Sequence, residues 1–388
     1  PGLRPFELVV SESQERMTVA VDPAQLDAFR SLATRRAVEV SDLGDFNDSG
    51  FFEITMGETP VAKLPLEFLH EGNPRMAMEA RFDVPPGQPE HREASFANGW
   101  ASILTALLAR PNIASKEWLI RQYDHEVQGM SVVKPLHQSE PGGFSGPNDS
   151  GVIVLGAEAG KTVGLAVGCG LNPKLSDVDP YLMAASAVDE AVRNVLCTGG
   201  EYGGPEKVIA LVDNFCWPDP THDVGKAAAL VRASAGMAQA ALALGIPLVS
   251  GKDSMKNDFK GRLGEEEVKI SVPPTLLMTA IARVGSVGSA RTSDFKCPGD
   301  FIYLLGHGAS EGALGLRGTE IEAWFREQGR EIVVADATTP ILPGLPNWAV
   351  AKRVFAWIGG LEGARAARVA SLHDVSDGGL MVAIAEGL

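Results

Sequence analysis

The chain has 388 residues, 45% of them apolar, with 43 Gly, 25 Pro and a formal net charge of −15. That length supports two or three domains with real cores, and the acidic balance excludes nonspecific nucleic-acid binding, because no basic tract can displace phosphate counterions. Four cysteines (Cys169, Cys197, Cys216 and Cys297), none at CxxC spacing, argue against a disulfide framework or structural zinc and for a reducing, cytoplasmic setting.

Pro1-Gly2-Leu3-Arg4 is not a signal peptide, and no apolar run is expected to reach membrane-spanning length. Residues 6–10 and 17–21 read as strands around a polar Ser11-Glu12-Ser13-Gln14-Glu15-Arg16 segment, and Asp22-Pro23 opens a helix over 24–34. Short strands follow over 38–43, 51–56 and 60–64, so that residues 1–75 resemble the back half of an α/β domain. A polar, aperiodic, proline-bearing stretch makes 76–94 the best linker.

Helices are predicted over 100–109 and 115–123, with His125 beyond them in a setting that favours surface pairing with Asp124 or Glu126. A Gly-rich loop over 142–149 precedes strands over 151–156 and 161–168. A long helix over 182–196, a strand over 208–213, a helix over 224–244 and strands over 247–250 and 276–284 complete a unit spanning 95–288. A boundary over 287–300 leads to a third unit, 298–388, with a strand over 301–306 and helices over 321–328, 351–359 and 380–386. This alternation implies α/β and α+β layers rather than a helical bundle. The start without Met, and the final helix that stops mid-pattern, lead us to expect a fragment of a longer protein.

Four constellations could carry chemistry. Asp213, expected just past a strand end, and Ser250-Gly251-Lys252-Asp253-Ser254-Met255, expected after the next strand, combine carboxylates, an ammonium and a hydroxyl. Such groups suit a phosphorylated ligand with Mg²⁺, yet a charged turn capped by Asp253 would read the same. No Walker A loop is present. Glu190 and Asn194 share a helical face, with Asp177 and Asp179 upstream, which suits either a hard cation or a solvated, capped helix. His373-Asp374-Val375-Ser376-Asp377-Gly378-Gly379 is either a phosphate- or metal-facing loop or an ordinary strand-to-helix turn. Ser11 to Arg16 is either a sugar- or amide-binding segment or a surface loop.

Six segments in order resemble the phosphoribosylformylglycinamidine synthases, of the AIR-synthase-like superfamily. They are residues 5–17, Arg121-Gln122-Tyr123-Asp124-His125, Asp179-Pro180-Tyr181, Glu190-Ala191-Val192-Arg193-Asn194, residues 245–255, and residues 373–380. The resemblance implies two tandem repeats, each with an N-terminal and a C-terminal half. On that basis 1–75 ends the first C-terminal half, 95–288 is the second N-terminal half, and 298–388 begins the second C-terminal half. It implies amidation of formylglycinamide ribonucleotide using ATP, Mg²⁺ and ammonia from a glutaminase subunit or domain, with a small bridging subunit as a further partner.

By the same resemblance Glu12, Ser13, Gln14 and Ser254 would contact substrate, while Asp213, Gly251 and Lys252 would lie on the ATP side, the Lys252 position next to the metal. Asp179, Glu190, Asn194, Asp374 and Ser376 would form a second, quasi-symmetric nucleotide and metal site, and Asp253 is a further candidate metal ligand. The pattern departs from the small form of the family, which has Ser-Gly-Asn-Val-Ser where this chain has Ser250-Gly251-Lys252-Asp253-Ser254. An amide oxygen can ligate Mg²⁺ and an ammonium cannot. Either Asp253 supplies the ligand or Lys252 meets phosphate. The family's catalytic histidine is expected outside this chain. A related kinase or ligase of the superfamily, a noncatalytic nucleotide scaffold, and a docking surface for partner subunits are the competing readings.

Overall fold

A computed structural model describes residues 2–83, 99–124, 126–138, 145–306, 316–329 and 346–388. Most of the linker expected over 76–94, His125 and part of the Gly-rich loop over 142–149 lie outside the described residues. The chain separates into two compact units, Pro1–Ala77 and Met78–Leu388.

In the first unit, α1 (Pro5–Val9) stands where a strand was expected. Proline at the first helical position and the Glu7 carboxylate, which accepts from Arg4 N at 2.7 Å and from the Arg4 guanidinium at 3.0 Å, make this short helix locally favourable, overriding its strand-like apolar residues. Residues 17–21 and 38–43 are likewise not strands: Met17 and Val19 are largely exposed, and no described strand pairs with either segment. The Asp22 carboxylate accepts from Ala24 N at 2.8 Å and starts a helical turn that leads into α2 (Leu26–Arg35). β1 (Phe51–Met56) and β2 (Thr59–Pro65) form an antiparallel hairpin, followed by α3 (Leu66–Glu71).

The second unit opens with α4 (Gly99–Leu108), α5 (Glu117–Ile120), β3 (Ser131–Val133) and the β4 (Leu136–Gln138)–β5 (Ser145–Pro147) pair. Then come β6 (Gly151–Glu158), β7 (Lys161–Leu171), α6 (Pro180–Cys197), β8 (Ile209–Cys216), α7 (Val224–Leu244) and β9 (Leu248–Ser254). A hairpin of β10 (Asp258–Leu263) and β11 (Glu266–Ser271), not foreseen from sequence, leads to β12 (Thr275–Val284). The main sheet runs β3-β6-β7-β12-β8-β9, antiparallel except for β8 and β9, which are parallel and joined through α7.

The core lies between this sheet and α6. Along β12 every second residue (Leu276, Met278, Ala280, Ala282, Val284) is buried against that side, as the two-residue strand period requires. Met183, Val188, Ala191, Val192 and Val195 of α6 fill the facing layer. Gly170 is required here: a Cβ would fall 2.0 Å from the Ala187 carbonyl oxygen, so only glycine lets α6 lie flush on β7.

α7 corrects the expectation that no apolar run would reach spanning length: it has 21 residues with a mean hydropathy of 1.4 over its best window. Its packing against α6 and the core cluster accounts for that composition. Asp223 caps its start through Gly225 N and Lys226 N, and Gly245, at φ 69°, ends it. Residues 301–306 are not a strand, and Phe301 and Tyr303 stand exposed. α8 (Glu320–Glu327), α9 (Trp348–Gly359), α10 (Gly363–Ala366) and α11 (Leu380–Glu386) complete the unit. Phe355 of α9 meets Tyr202 edge-on, with ring centroids 6.4 Å apart. Val382 of α11 packs with Ile103 and Leu107 of α4.

Candidate functional site

The two motif-bearing strands are neighbours. Their apolar starts pair in parallel, and the pairing aligns Asp213 with Gly251, Asn214 with Lys252, Phe215 with Asp253 and Cys216 with Ser254. Neither strand stops where the sequence suggested. Asp213 lies within β8 rather than beyond its end, and Gly251 to Ser254 are extended β9 backbone rather than a turn. The ladder carries this segment past its turn-forming residue types: Trp217 N donates to Ser254 O at 2.8 Å, and Asn257 Nδ2 donates to the same oxygen at 2.7 Å.

Extended backbone splits the motif between two faces. Asp213 shares the helix-covered face with buried Leu211 and Phe215, and Gly251 and Asp253 follow on that face of β9. Lys252 and Ser254 point to the opposite face with Asn214 and Cys216, and the Lys252 ammonium donates to the Ser254 hydroxyl. Burial raises the Asp213 carboxyl above the usual carboxylate range, and the Asp253 charge adds to the rise.

The second constellation is half-buried to buried, and its side chains are held by contacts within the chain. Glu190 accepts from Leu171 N at 2.8 Å, and Asn194 Nδ2 donates to Cys169 O at 2.7 Å, so the i, i+4 pair clamps the end of β7. Burial pushes the Glu190 carboxyl up to about 7 against that hydrogen bond. Asp179 caps α6 through Tyr181 N at 2.9 Å and receives a two-pronged Arg232 guanidinium at 2.8 and 2.5 Å. Asp374 is buried, pairs with Arg193, and receives its chain position from its own N–H donating to Asp149 at 3.1 Å. His373 sits between Asp149 at 2.8 Å and Glu386 at 3.1 Å. Burial opposes its charge, but the two carboxylates win and hold the imidazole up to about 9.

Between α6, α4, α8 and the 375–381 turn is a cavity of about 470 Å³. Glu190, Arg193, Ser376, Asp377 and Glu320 give it a polar side, and Trp100, Ile103, Leu107 and Leu316 give it an apolar one. Burial raises the Asp377 carboxyl. Glu320 is almost wholly buried and accepts from Arg110 Nε at 2.5 Å, from Asn112 at 2.7 Å and from Lys174. Arg110 also forks onto Glu327 at 2.8 and 2.9 Å.

Asp179, Glu190, Asn194 and Asp374, expected together as metal ligands, do not gather around one point. Among the described residues no group of three or more His, Cys, Asp or Glu side chains could hold a metal ion. Asp179 is committed to Arg232, and Asp374 to Arg193. Sequence reading passed over Asp149, Arg193, Glu320 and Glu386, which organise the region. Asp149 had a signal, at the end of the Gly-rich loop, and Arg193 lies inside the Glu190 to Asn194 segment; Glu320 and Glu386 carried none.

In the first unit, Glu12, Ser13 and Gln14 are exposed in a bend wrapped around Arg16. Arg16 donates to Ser13 O at 3.0 Å and to Ser11 O, the Ser11 and Ser13 hydroxyls are 3.0 Å apart, and Gln14 Nε2 donates to Glu12 O at 3.3 Å.

Residues 147–281 match the family described as AIR synthase related protein, N-terminal domain. The chain is 33% identical to phosphoribosylformylglycinamidine synthase subunit PurL of Thermomicrobium roseum over 397 residues, 99% of this chain and 47% of that protein. The PurL subunits of Anaeromyxobacter dehalogenans and Methanopyrus kandleri are 33% and 30% identical, again over 99% of this chain and 46% and 47% of theirs. The chain thus spans about half the length of the curated relatives it matches. Among solved structures, PurLQS from Thermotoga maritima matches with a TM-score of 0.50 at 20% identity, covering 75% of this chain and 41% of that one. T. maritima PurL complexed with ADP matches with a TM-score of 0.50 at 20% identity, covering 76% of this chain and 44% of that one. The chain is similar to these PurL subunits over 99% of its length, and residues 147–281 carry the AIR-synthase-related N-terminal domain within its mixed α/β fold.

Proposed function

We propose that this chain forms part of a phosphoribosylformylglycinamidine synthase, which converts formylglycinamide ribonucleotide to formylglycinamidine ribonucleotide in purine biosynthesis. The observation that carries this reading is the 33% identity to PurL across 99% of the chain. In this reading 1–75 ends a first C-terminal half, 76–94 is a linker, 95–288 is a second N-terminal half and 298–388 begins a second C-terminal half. The setting is cytoplasmic. Ammonia comes from a glutaminase subunit or domain, and a small bridging subunit joins the two.

The reaction is a carbon–nitrogen ligation. ATP phosphorylates the amide oxygen, giving an imidate with a good leaving group, and ammonia then displaces phosphate. On the sheet face that carries Asp213 of β8 and Gly251 and Asp253 of β9, the carboxylates address the nucleotide and any Mg²⁺ that accompanies its phosphates. On the opposite face the Lys252 ammonium, which cannot ligate a metal, neutralises substrate phosphate beside Ser254. Glu12, Ser13 and Gln14 hydrogen-bond the ribonucleotide. Glu190, Asn194, Asp374 and Asp179 maintain a second nucleotide pocket.

The catalytic histidine lies outside this chain, so residues 1–388 alone are inactive in this reading. A steady-state assay of ATP- and substrate-dependent amidine formation tests this: turnover by the isolated chain overturns it. In the full-length protein, Lys252→Met is expected to raise the KM for the ribonucleotide at least 10-fold, and an unchanged KM removes Lys252 from the site. A second reading, a noncatalytic nucleotide-holding scaffold, is favoured by the cavity of about 470 Å³ with one apolar and one polar wall. Retention of ADP by the chain without turnover supports it.

A further inference from the structure

We infer that Gly251 acts as a positioning residue for Asp213, leaving the space over its Cα into which the Asp213 carboxylate folds. The inference rests on the reading of Asp213 as a nucleotide-facing group and assigns Gly251 a different task from touching the nucleotide.

Glycine inside a strand weakens it and needs a reason. Two ordinary reasons can be compared with the geometry. A left-handed backbone is not one of them, because Gly251 is absent from the positive-φ residues and continues the β9 ladder. Close approach of another group is the other, and that group is visible. A Cβ at Gly251 would lie 2.4 Å from Asp213 Oδ1 and 2.8 Å from both Cγ and Oδ2. No real Cβ tolerates such contacts, so any side chain at residue 251 forces Asp213 into another rotamer.

The parallel register makes the pairing specific. Asp213 and Gly251 are direct cross-strand partners on one face, with Asp253 two residues further along that face. Rotating Asp213 away from Gly251 swings its carboxylate from the edge strand β9 toward its other neighbour in the sheet, Met278 of β12, which is fully buried. The apolar direction is costly for a carboxylate, so the glycine keeps open the orientation that a side chain at residue 251 would block.

A double-mutant cycle tests this in the full-length protein, using Gly251→Ala and Asp213→Ala. Urea unfolding without ligand reads the steric coupling. G251A is expected to lower the midpoint in the parent and to leave it unchanged in the D213A background, where the carboxylate is gone. Calorimetric titration with ATP reads the function. Each single variant is expected to bind about 10-fold more weakly, and the double variant no more weakly than D213A alone. Equal losses from G251A in both backgrounds, in unfolding and in binding, overturn the positioning role. If the unfolding cycle is coupled but D213A binds ATP as the parent does, the nucleotide reading of this face fails while the steric pairing stands.

Discussion

The two candidate regions handle charge in opposite ways. Along β8 and β9, Lys252, Asp253 and Gly251 are exposed, and the Lys252 ammonium donates to the Ser254 hydroxyl. Around α6 and the 373–379 turn, several polar side chains are half-buried or buried and paired within the chain: Glu190 with Leu171 N, Asn194 with Cys169 O, Asp374 with Arg193, and His373 with two carboxylates. The first region leaves Lys252 and Asp253 facing solvent. The second spends its charges on its own architecture and keeps a cavity beside them. Residue type alone did not separate the two, since both combine acids, amides and glycines.

The contrast can be tested through stability. The largest effect, matched at Arg193, is expected at Glu320, which three donors surround almost out of contact with solvent. Glu320→Ala leaves Arg110 with Glu327 as its remaining carboxylate and Lys174 without Glu320, and should cost about 3 kcal/mol in urea unfolding. A loss below about 1 kcal/mol would show that the network is surface decoration. Arg193→Met, which leaves buried Asp374 without its cation, should cost about 3 kcal/mol by the same measurement.

Glu190 gives a pH-dependent effect of intermediate size. Its folded carboxyl is raised from 4.5 to about 7, so the folded state holds the proton more tightly than the unfolded chain. Its contribution is therefore favourable below about pH 4.5 and is lost as pH rises through 7. Glu190→Gln keeps an acceptor for Leu171 N and should stabilise by on the order of 2–3 kcal/mol at pH 8 and by little at pH 4. A pH-independent difference would refute the assigned shift.

His373 gives the complementary case. A folded value near 9 against 6.5 means its stabilisation is full below pH 6.5 and fades as pH rises through 9. Asp149→Asn should bring the NMR titration midpoint of His373 down by a unit or more. The smallest effect is expected on the exposed strand, where Lys252→Met should change stability by less than about 0.5 kcal/mol.

Much of this was legible in the chain. The apolar runs of β7, β8, β12 and the helices α6 and α7 are long and strongly patterned, and each appears close to its expected place. Local chemistry misled in two directions. At residues 5–9 proline and the Glu7 carboxylate turned apolar residues into a helix, and at 250–254 a neighbouring strand held turn-forming residues extended. Asp258 to Ser271 was missed as a hairpin because its charged residues dilute the alternation that marks a strand. The buried network was unreadable for another reason. Arg110, Lys174 and Glu320 are brought together from three distant parts of the chain, and nothing in the sequence around each announces the others.

One small irregularity governs how the exposed strand presents itself. The pairing of β8 and β9 slips between Leu211 and Val212, so that Leu211 faces Leu248 while Val212 faces Ser250. That single extra residue sets the parity of everything after it. Without the slip, Asp213 would sit beside Ser250 and Phe215 beside Lys252, exchanging acid and base between the two sides of the sheet. Deleting Val249, by contrast, closes the slip and keeps Asp213 beside Gly251.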